Sequence, residues 1–215
     1  MTADWFRQTE WSDKHLAEFL ARNKRSRGNA SRAQHIRIQA VTLLETDKPL
    51  LVEAGLQLLV DHYFPQFSRE LDASVAFGCA GQCCEALGRL DDAVGYYERA
   101  LAHEIEMPNV QSGAAYSLAK LAVELGRRDL VSRALQGIDP QKASPFPWHS
   151  YIVTGARAFL AALEGDLPSA RAHAQAALGK AAVSDNGLGW GRGALGTVRD
   201  TDTPFHKAIT ALAGA

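Results

Sequence analysis

The sequence predicts an all-α protein built as a helical solenoid, and three observations support that prediction. Apolar residues recur at helical spacing along almost the whole chain of 215 residues, and no stretch alternates with the period of two that marks a strand. The segment 74–101 has the pattern of two amphipathic helices joined by a tight turn at Gly88. Similar patterns recur about 39 residues before and after it, and such a period indicates stacked helical hairpins.

Residues 1–30 predict an N-terminal capping helix. Ser12 suits the N-cap position, because its hydroxyl can accept a hydrogen bond from a free amide of the first turn. Asp13 follows at the positive end of the helix dipole, and the helix should end before Gly28. Since large aromatic area is normally buried, three aromatic residues are expected to fold back over the first hairpin, namely Trp5, Phe6 and Trp11.

Four helical hairpins are predicted within residues 31–183. Aligned on a small residue of their second helices, they step by 39, 38 and 39 residues through Ala54, Ala93, Val131 and Ala170. The turn glycines of the last three hairpins agree with this spacing, at Gly88, Gly126 and Gly165. The first hairpin is degenerate, because Pro49 stands where its turn glycine would fall.

Prolines separate the hairpins, because proline removes an amide donor and disfavours helix in the preceding residue. They lie at Pro65, Pro108, Pro140, Pro145 and Pro147. After residue 183 the sequence becomes glycine-rich and aperiodic, and a short helix from Pro204 to about residue 213 is predicted to close the chain. Residues 184–215 are therefore assigned as a C-terminal capping segment of the same single domain.

The clearest hairpin resembles the tetratricopeptide repeat (TPR) family. The resemblance rests on a small residue in its first helix, the turn glycine, and small and aromatic positions of its second helix: Gly81, Gly88, Ala93, Tyr97 and Ala100. The family's usual repeat has about 34 residues, so each repeat here carries a few extra residues in its loops. The resemblance implies a right-handed α-α superhelix of about four hairpins with capping helices at both ends.

In that family the first helix of each hairpin lines a concave groove, and the resemblance therefore implies the groove residues of this chain. They are Gln82, Glu85, Tyr116, Lys120, Glu124 and Phe159. The groove changes from polar to apolar along the chain, so a peptide with a basic or polar end and a hydrophobic anchor would complement it. A second possibility stays open, in which the glycine-rich C-terminal segment covers Phe159 and Leu163 and fills the groove itself.

Composition argues against several function classes. With 23 Lys and Arg against 24 Asp and Glu, the chain is not predicted to bind nucleic acid or an anionic membrane. The basic stretch 22–27 lacks interleaved aromatic residues and is interpreted as a solvated helix end. The three cysteines cluster at 79–84, which predicts buried core thiols in a reducing compartment. Without a secretion signal or an apolar run of membrane-spanning length, a cytoplasmic protein is expected.

No catalytic, cofactor or metal site is predicted. Residues 191–196 match the spacing of a dinucleotide fingerprint but lack the strand and helix that it requires. Residues 200–203 resemble the nucleophile loop of haloacid dehalogenase-type phosphatases, without its strand or its downstream lysine. His103 and Glu104 begin a zinc motif in which Met107 replaces the second histidine.

The sequence thus predicts a non-enzymatic adaptor or scaffold that binds a protein or peptide in the groove. An alternative of another class is a structural protein, either a homo-oligomer such as a homodimer joined through terminal repeats, or a neutralising partner of one specific protein. A solvated polar groove would favour the adaptor, and an apolar interface at the terminal hairpins would favour the alternative. An enzyme would require a buried, coupled pair of titrating residues in a pocket.

Overall fold

The structure, a computed structural model, describes residues 4–138, 144–187 and 194–214. Every regular element in those ranges is helical, so the prediction of an all-α protein is confirmed. The described residues divide into two compact units, the first ending at Ala114 and the second beginning at Ala115. The superhelical path of the hairpins and their assignment to one domain stay predictions.

Unit 1 begins with a short helix whose start agrees with the sequence prediction. The Ser12 hydroxyl accepts a hydrogen bond from the His15 amide at 3.5 Å, which makes Ser12 the N-cap. The helices of this unit are α1 (Asp13–Asn23), α2 (Asn29–Leu44), α3 (Pro49–Leu58), α4 (Phe64–Phe67), α5 (Ala73–Ala86) and α6 (Leu90–Glu106).

Unit 2 contains the remaining helices, and its last one was expected from the sequence. These helices are α7 (Ala114–Glu124), α8 (Arg128–Gln136), α9 (Pro147–Leu163), α10 (Leu167–Ala181) and α11 (Pro204–Gly214). Helices α9 and α10 pack against each other as a hairpin, and α11 contacts both of them. The predicted closing helix that starts at Pro204 is therefore confirmed.

The hairpins α5–α6, α7–α8 and α9–α10 close with the same turn. Its central residue is a glycine in the left-handed region, with φ of +72° at Gly88, +70° at Gly126 and +80° at Gly165. At the first of these turns the Gly88 amide donates to the Glu85 carbonyl at 2.9 Å, and the Arg89 amide donates to the Cys84 carbonyl at 2.8 Å. The other two turns repeat both bonds, so all three are Schellman motifs and the predicted turn glycines are confirmed.

The first hairpin, α2–α3, reverses direction at a different residue. Asp47 holds the left-handed conformation, with φ of +55°, and its amide donates to the Leu44 carbonyl at 3.1 Å. Pro49 occupies the first turn of α3, where a missing amide N–H costs nothing. Counted from Asp47, the residue equivalent to Ala93 is the buried Val52, and not the half-buried Ala54 on which the sequence alignment rested.

Close approach of paired helices depends on small residues at their contact. A Cβ atom on Gly81 of α5 would lie 2.4 Å from Cε1 of Tyr97 on α6, which no real side chain tolerates. Ala93 and Ala100 are fully buried on the same side of α6. The packing of this hairpin therefore requires the small residues that the sequence singled out.

A π-helical turn, Leu59–Tyr63, joins α3 to α4. It ends on Tyr63, a fully buried residue whose hydroxyl donates to Asp72 Oδ1 at 2.7 Å. The other carboxylate oxygen of Asp72 accepts from Arg37 Nε at 2.9 Å. Burial and this carboxylate raise the pKa of Tyr63, so its hydroxyl stays protonated and serves as a donor.

Residues near the N-terminus pack against α2. The Phe6 ring stacks on the His35 imidazole with ring centres 4.6 Å apart. The Gln8 amide donates to Gln39 Oε1 at 2.9 Å, and Gln39 Nε2 donates to the Gln8 carbonyl at 2.7 Å. Because Gln39 is fully buried, these two bonds satisfy an amide that would otherwise destabilise the core.

Asp47→Gly is predicted to stabilise the protein. Glycine adopts a positive φ without the steric penalty that a Cβ atom introduces, so the free energy of unfolding should rise by about 0.5–1 kcal/mol. Urea denaturation measures the change. Glu45→Gly is the matched control, because Glu45 is also exposed but has φ of −64°, and it should lower stability. Equal effects of the two substitutions would contradict the prediction.

Candidate functional site

Two of the six predicted groove residues lie on α5 in unit 1. Gln82 is exposed, and Glu85, one turn further along the helix, is half-buried. The neighbouring Cys83 and Cys84 are buried, and Ala86 is exposed. The accessible part of α5 is therefore a narrow strip that offers an amide and a carboxylate to a ligand.

Three more of the predicted groove residues lie on α7 in unit 2, namely Tyr116, Lys120 and Glu124. Their spacing of four residues places them on one face of the helix. Lys120 Nζ lies 3.4 Å from Glu124 Oε1, and the two side chains are 27% and 15% exposed. The Tyr116 ring stacks on the His149 imidazole with ring centres 3.8 Å apart and planes 6° from parallel. Burial raises the pKa of Tyr116 and lowers that of His149, so both groups are neutral near pH 7.

The sixth residue, Phe159, is half-buried on α9, and the surface one turn before it is occupied by α11. A Cβ atom on Gly155 would lie 2.6 Å from Cζ of Phe205 and 3.1 Å from Cδ1 of Ile209. Phe205 and Ile209 are 1% and 0% exposed. Gly155 thus forms a notch in α9 that receives two apolar side chains of the C-terminal helix.

Polar contacts hold the first turn of α11 in the same place. Glu124 Oε1 accepts from the Phe205 amide at 3.3 Å, an amide that has no partner within the helix. The Tyr151 hydroxyl lies 2.9 Å from His206 Nδ1. Burial, and secondarily the charge of Glu124, raises the pKa of Tyr151 to about 12. The carboxylate of Glu124 is therefore shared between Lys120 and the N-terminus of α11.

These contacts bear on the possibility that the chain fills its own groove. The C-terminal helix α11, which follows the glycine-rich segment, covers α9 at Gly155. Leu163, at the last turn of α9, is 50% exposed, and Phe159 between them is half-buried. The C-terminal helix thus covers α9 as far as its middle and leaves the C-terminal end of α9 exposed.

A cleft between α3 and α6 in unit 1, with a volume of about 460 Å³, was not among the predicted sites. At one end Arg89 forms a bidentate pair with Glu53, with Nη2 to Oε2 at 2.6 Å and Nη1 to Oε1 at 3.3 Å. Arg128 and Glu164 form a similar pair in unit 2 at 2.7 Å, and both pairs join residues 36 positions apart. That common separation was the available sequence signal, since it lies close to the repeat period.

The cysteines are buried and unbridged, as predicted: Cys79, Cys83 and Cys84. A hydrogen bond with Cys79 and burial raise the pKa of Cys83, and burial raises that of Cys84 to about 11. Thiols with raised pKa values are poor nucleophiles at neutral pH. Within the described ranges, no group of three or more His, Cys, Asp or Glu side chains is arranged to bind a metal ion.

The remaining motifs have structural roles where the structure describes them. Asp200 Oδ1 accepts from the Asp202 amide at 2.8 Å, and Asp202 pairs with Lys207 at 2.6 Å, which is a solvated turn before α11. Residues 191–193 of the glycine motif lie outside the described residues. Glu104 of the incomplete zinc motif accepts from the Ser112 amide at 2.7 Å. None of the helices in the described ranges is long and apolar enough to span a bilayer.

Comparison with protein-family models, with curated proteins and with solved structures finds no match to this chain.

Phe205→Ala is predicted to lower the free energy of unfolding by about 3–5 kcal/mol, because it empties the notch at Gly155. Thr210→Ala is the matched control on the exposed side of α11 and should change stability little. Urea denaturation followed by circular dichroism measures both. Equal stability of the two variants would show that α11 is not part of the folded core of unit 2.

The imidazole of His149 should titrate below pH 6.5, the usual value for histidine, since burial favours its neutral form. A lowered folded-state pKa contributes stability above the unfolded value, and this stability is lost as the pH falls through the folded value. NMR titration of the ring carbon signals measures the midpoint. His149→Phe preserves the stack on Tyr116 and should weaken the loss of stability between neutral and mildly acidic pH. A midpoint at or above the usual value would contradict the prediction.

Proposed function

We propose that this chain is a TPR-like adaptor that binds a protein or peptide segment on the first-helix faces of its hairpins. The observation that carries the proposal is the repetition of one hairpin geometry. Three hairpins close with the same Schellman turn, at steps of 38 and 39 residues. Repeated hairpins of this kind usually present extended binding surfaces rather than catalytic sites, and the proposal includes no catalytic step.

The seating of α11 supports the mode of binding. An amphipathic helix inserts Phe205 and Ile209 at Gly155, and Glu124 receives the free amide at its N-terminus. This combination of apolar anchors and a polar end is how helices are recognised in grooves. The proposal extends that mode to a partner segment, with Phe159 as its apolar contact.

Charge at the predicted face supports a partner with a polar end. Lys120 and Glu124 are paired at 3.4 Å and largely screened from water, so an incoming carboxylate would share Lys120 while Glu124 keeps the Phe205 amide. Gln82 and Glu85 present an amide and a carboxylate on the other unit. We place the adaptor in the cytoplasm, because its unbridged buried cysteines suit a reducing compartment.

A second candidate function is self-association through the terminal hairpins, and one observation favours it. Leu163 and Leu167, on either side of the last hairpin turn, are 50% and 56% exposed. Leu50, at the start of the second helix of the first hairpin, is 86% exposed. Exposed leucines at such positions are suited to an apolar interface with another copy or with one specific partner.

Lys120→Glu and Phe159→Ala are each predicted to weaken a captured partner's affinity at least about tenfold. Partners are captured from native lysate with the wild-type chain, identified by mass spectrometry, purified and titrated calorimetrically. Lys180→Glu is the matched control, because it makes the same charge change at an exposed site on α10. Urea denaturation of each variant separates lost binding from lost folding.

Unchanged affinity in folded Lys120→Glu and Phe159→Ala would refute binding at this face. If the lysate yields only the bait, sedimentation equilibrium decides between the two functions. A dimer that Leu163→Glu converts to a monomer would support self-association instead of the adaptor.

A further inference from the structure

The cleft between α3 and α6 lies on the second helices of two hairpins, so it is separate from the first-helix faces discussed above. Its volume of about 460 Å³ accommodates a few side chains of a ligand whose backbone lies outside the cleft. Leu56 and Cys84 are buried in its floor, and Val60 is 37% exposed at its edge. The cleft is thus open to solvent, its lining mixes apolar and polar side chains, and its two ends carry opposite charge.

One end is acidic. Asp91 and Asp92 are exposed in the first turn of α6, and no basic side chain in the described ranges lies within ion-pair distance of either. Arg89, which also lines this end, is already bound by Glu53 at 2.6 Å. The aspartates therefore keep their negative charge available, and a cation is the group that would complement them.

The other end carries a positioned cation. Arg99 lies two helical turns beyond Asp92, and its guanidinium sits over the Phe77 ring at 4.3 Å and the Phe64 ring at 5.2 Å. Stacking on aromatic rings holds the guanidinium plane without using its N–H donors. Within the described ranges Arg99 has no hydrogen bond or ion pair, so these donors can bind a carboxylate.

Gly95 lies between the two charged ends, and packing within the chain does not explain it. Three other glycines inside helices face a neighbour at 3.0 Å or less from a built Cβ atom, namely Gly55, Gly81 and Gly155, and Gly78 of α5 faces Ser112 at 3.6 Å. Nothing lies within 4 Å of the position a Cβ atom would take on Gly95, although glycine strongly disfavours a helix interior. Gly179 is also open, but it lies in the last turn of α10, where that penalty is small. Close approach by an external side chain would account for Gly95.

We propose that this cleft binds a helical segment of a partner protein that carries a basic and an acidic residue seven positions apart, with apolar residues between them. Asp92 and Arg99 are seven residues apart on α6, which corresponds to about 10 Å along the helix axis. A ligand helix lying along α6 meets both charges only when its own charges have the same separation. Its intervening apolar residues then fall on Gly95, Val60 and Tyr96 in the usual anchor pattern of a bound helix.

The pairing of opposite charges makes the site selective. A ligand with two basic residues would place one of them against Arg99, and a ligand with two acidic residues would place one against the aspartates. Like charges in contact disfavour both. The specificity therefore requires one charge of each sign on the ligand.

The test uses the full chain labelled with ¹⁵N and an alanine-based helical peptide of about 17 residues. The peptide carries Lys and, seven positions later, Glu, with two leucines between them, and its controls carry two Lys or two Glu. Titration should shift the Gly95 amide signal saturably, with a dissociation constant below about 1 mM. Either control peptide should bind at least tenfold more weakly, and Arg99→Gln should reduce binding of the mixed peptide by a similar factor.

Substitutions at Gly95 separate a binding role from a purely structural role, because the two roles predict different effects on peptide affinity. Gly95→Ala should raise the melting temperature and yet weaken the mixed peptide severalfold, and Gly95→Leu should abolish its binding. Gly179→Ala is the matched control, with no effect on the peptide. Equal affinity for all three peptides, no saturable shift at Gly95, or wild-type affinity in Gly95→Leu would overturn the proposal. Shifts at Gly95 that follow protein concentration without peptide would also overturn it, in favour of a second copy of the chain.

Discussion

The left-handed residue at each turn determines how a hairpin of this protein packs. It sets where the second helix begins, and hence which side chains meet across the pair. With Gly88 at this position, Gly81 of α5 receives the ring of Tyr97 from α6. A shift of the turn by one residue would rotate α6 by about 100° and bring a different side chain to Gly81. The small buried residues of the hairpin are therefore effective only in combination with the turn.

This dependence explains which parts of the fold could be predicted from sequence. Glycine is the residue that a Schellman turn favours, so the turns at Gly88, Gly126 and Gly165 were visible, and the helices around them followed. The first turn was misplaced because Asp47 supplies the left-handed conformation and leaves no compositional mark. The α3–α6 cleft was missed for a related reason, since it requires the register of α3, which depends on that turn.

The candidate surfaces differ in how much of their chemistry the chain uses for its own folding. On unit 2 the predicted residues are largely engaged: Glu124 binds Lys120 and the start of α11, and Tyr116 stacks on His149. The partners that later helices supply, His149 for Tyr116 and the Phe205 amide for Glu124, could not be predicted from sequence. In the α3–α6 cleft, Arg99 is positioned by aromatic rings while its donors stay open. A surface whose side chains are already paired within the chain must break those contacts to bind a ligand. A surface whose side chains have open donors only gains contacts on binding.

The π-helical turn Leu59–Tyr63 contributes to the greater length of the first repeat. A π turn holds one residue more than the α-helical turn it replaces. This turn lies between Val52 and Ala93, which are 41 residues apart, whereas Ala93 and Val131 of the next repeat are 38 residues apart. The surplus thus includes a residue accommodated inside a helix, where Tyr63 is fixed by Asp72 and Arg37. An insertion of this kind moves every later residue of the helix to a new face. Deletion of one residue from this turn would therefore withdraw the buried Tyr63 ring from the core and break its hydrogen bond to Asp72.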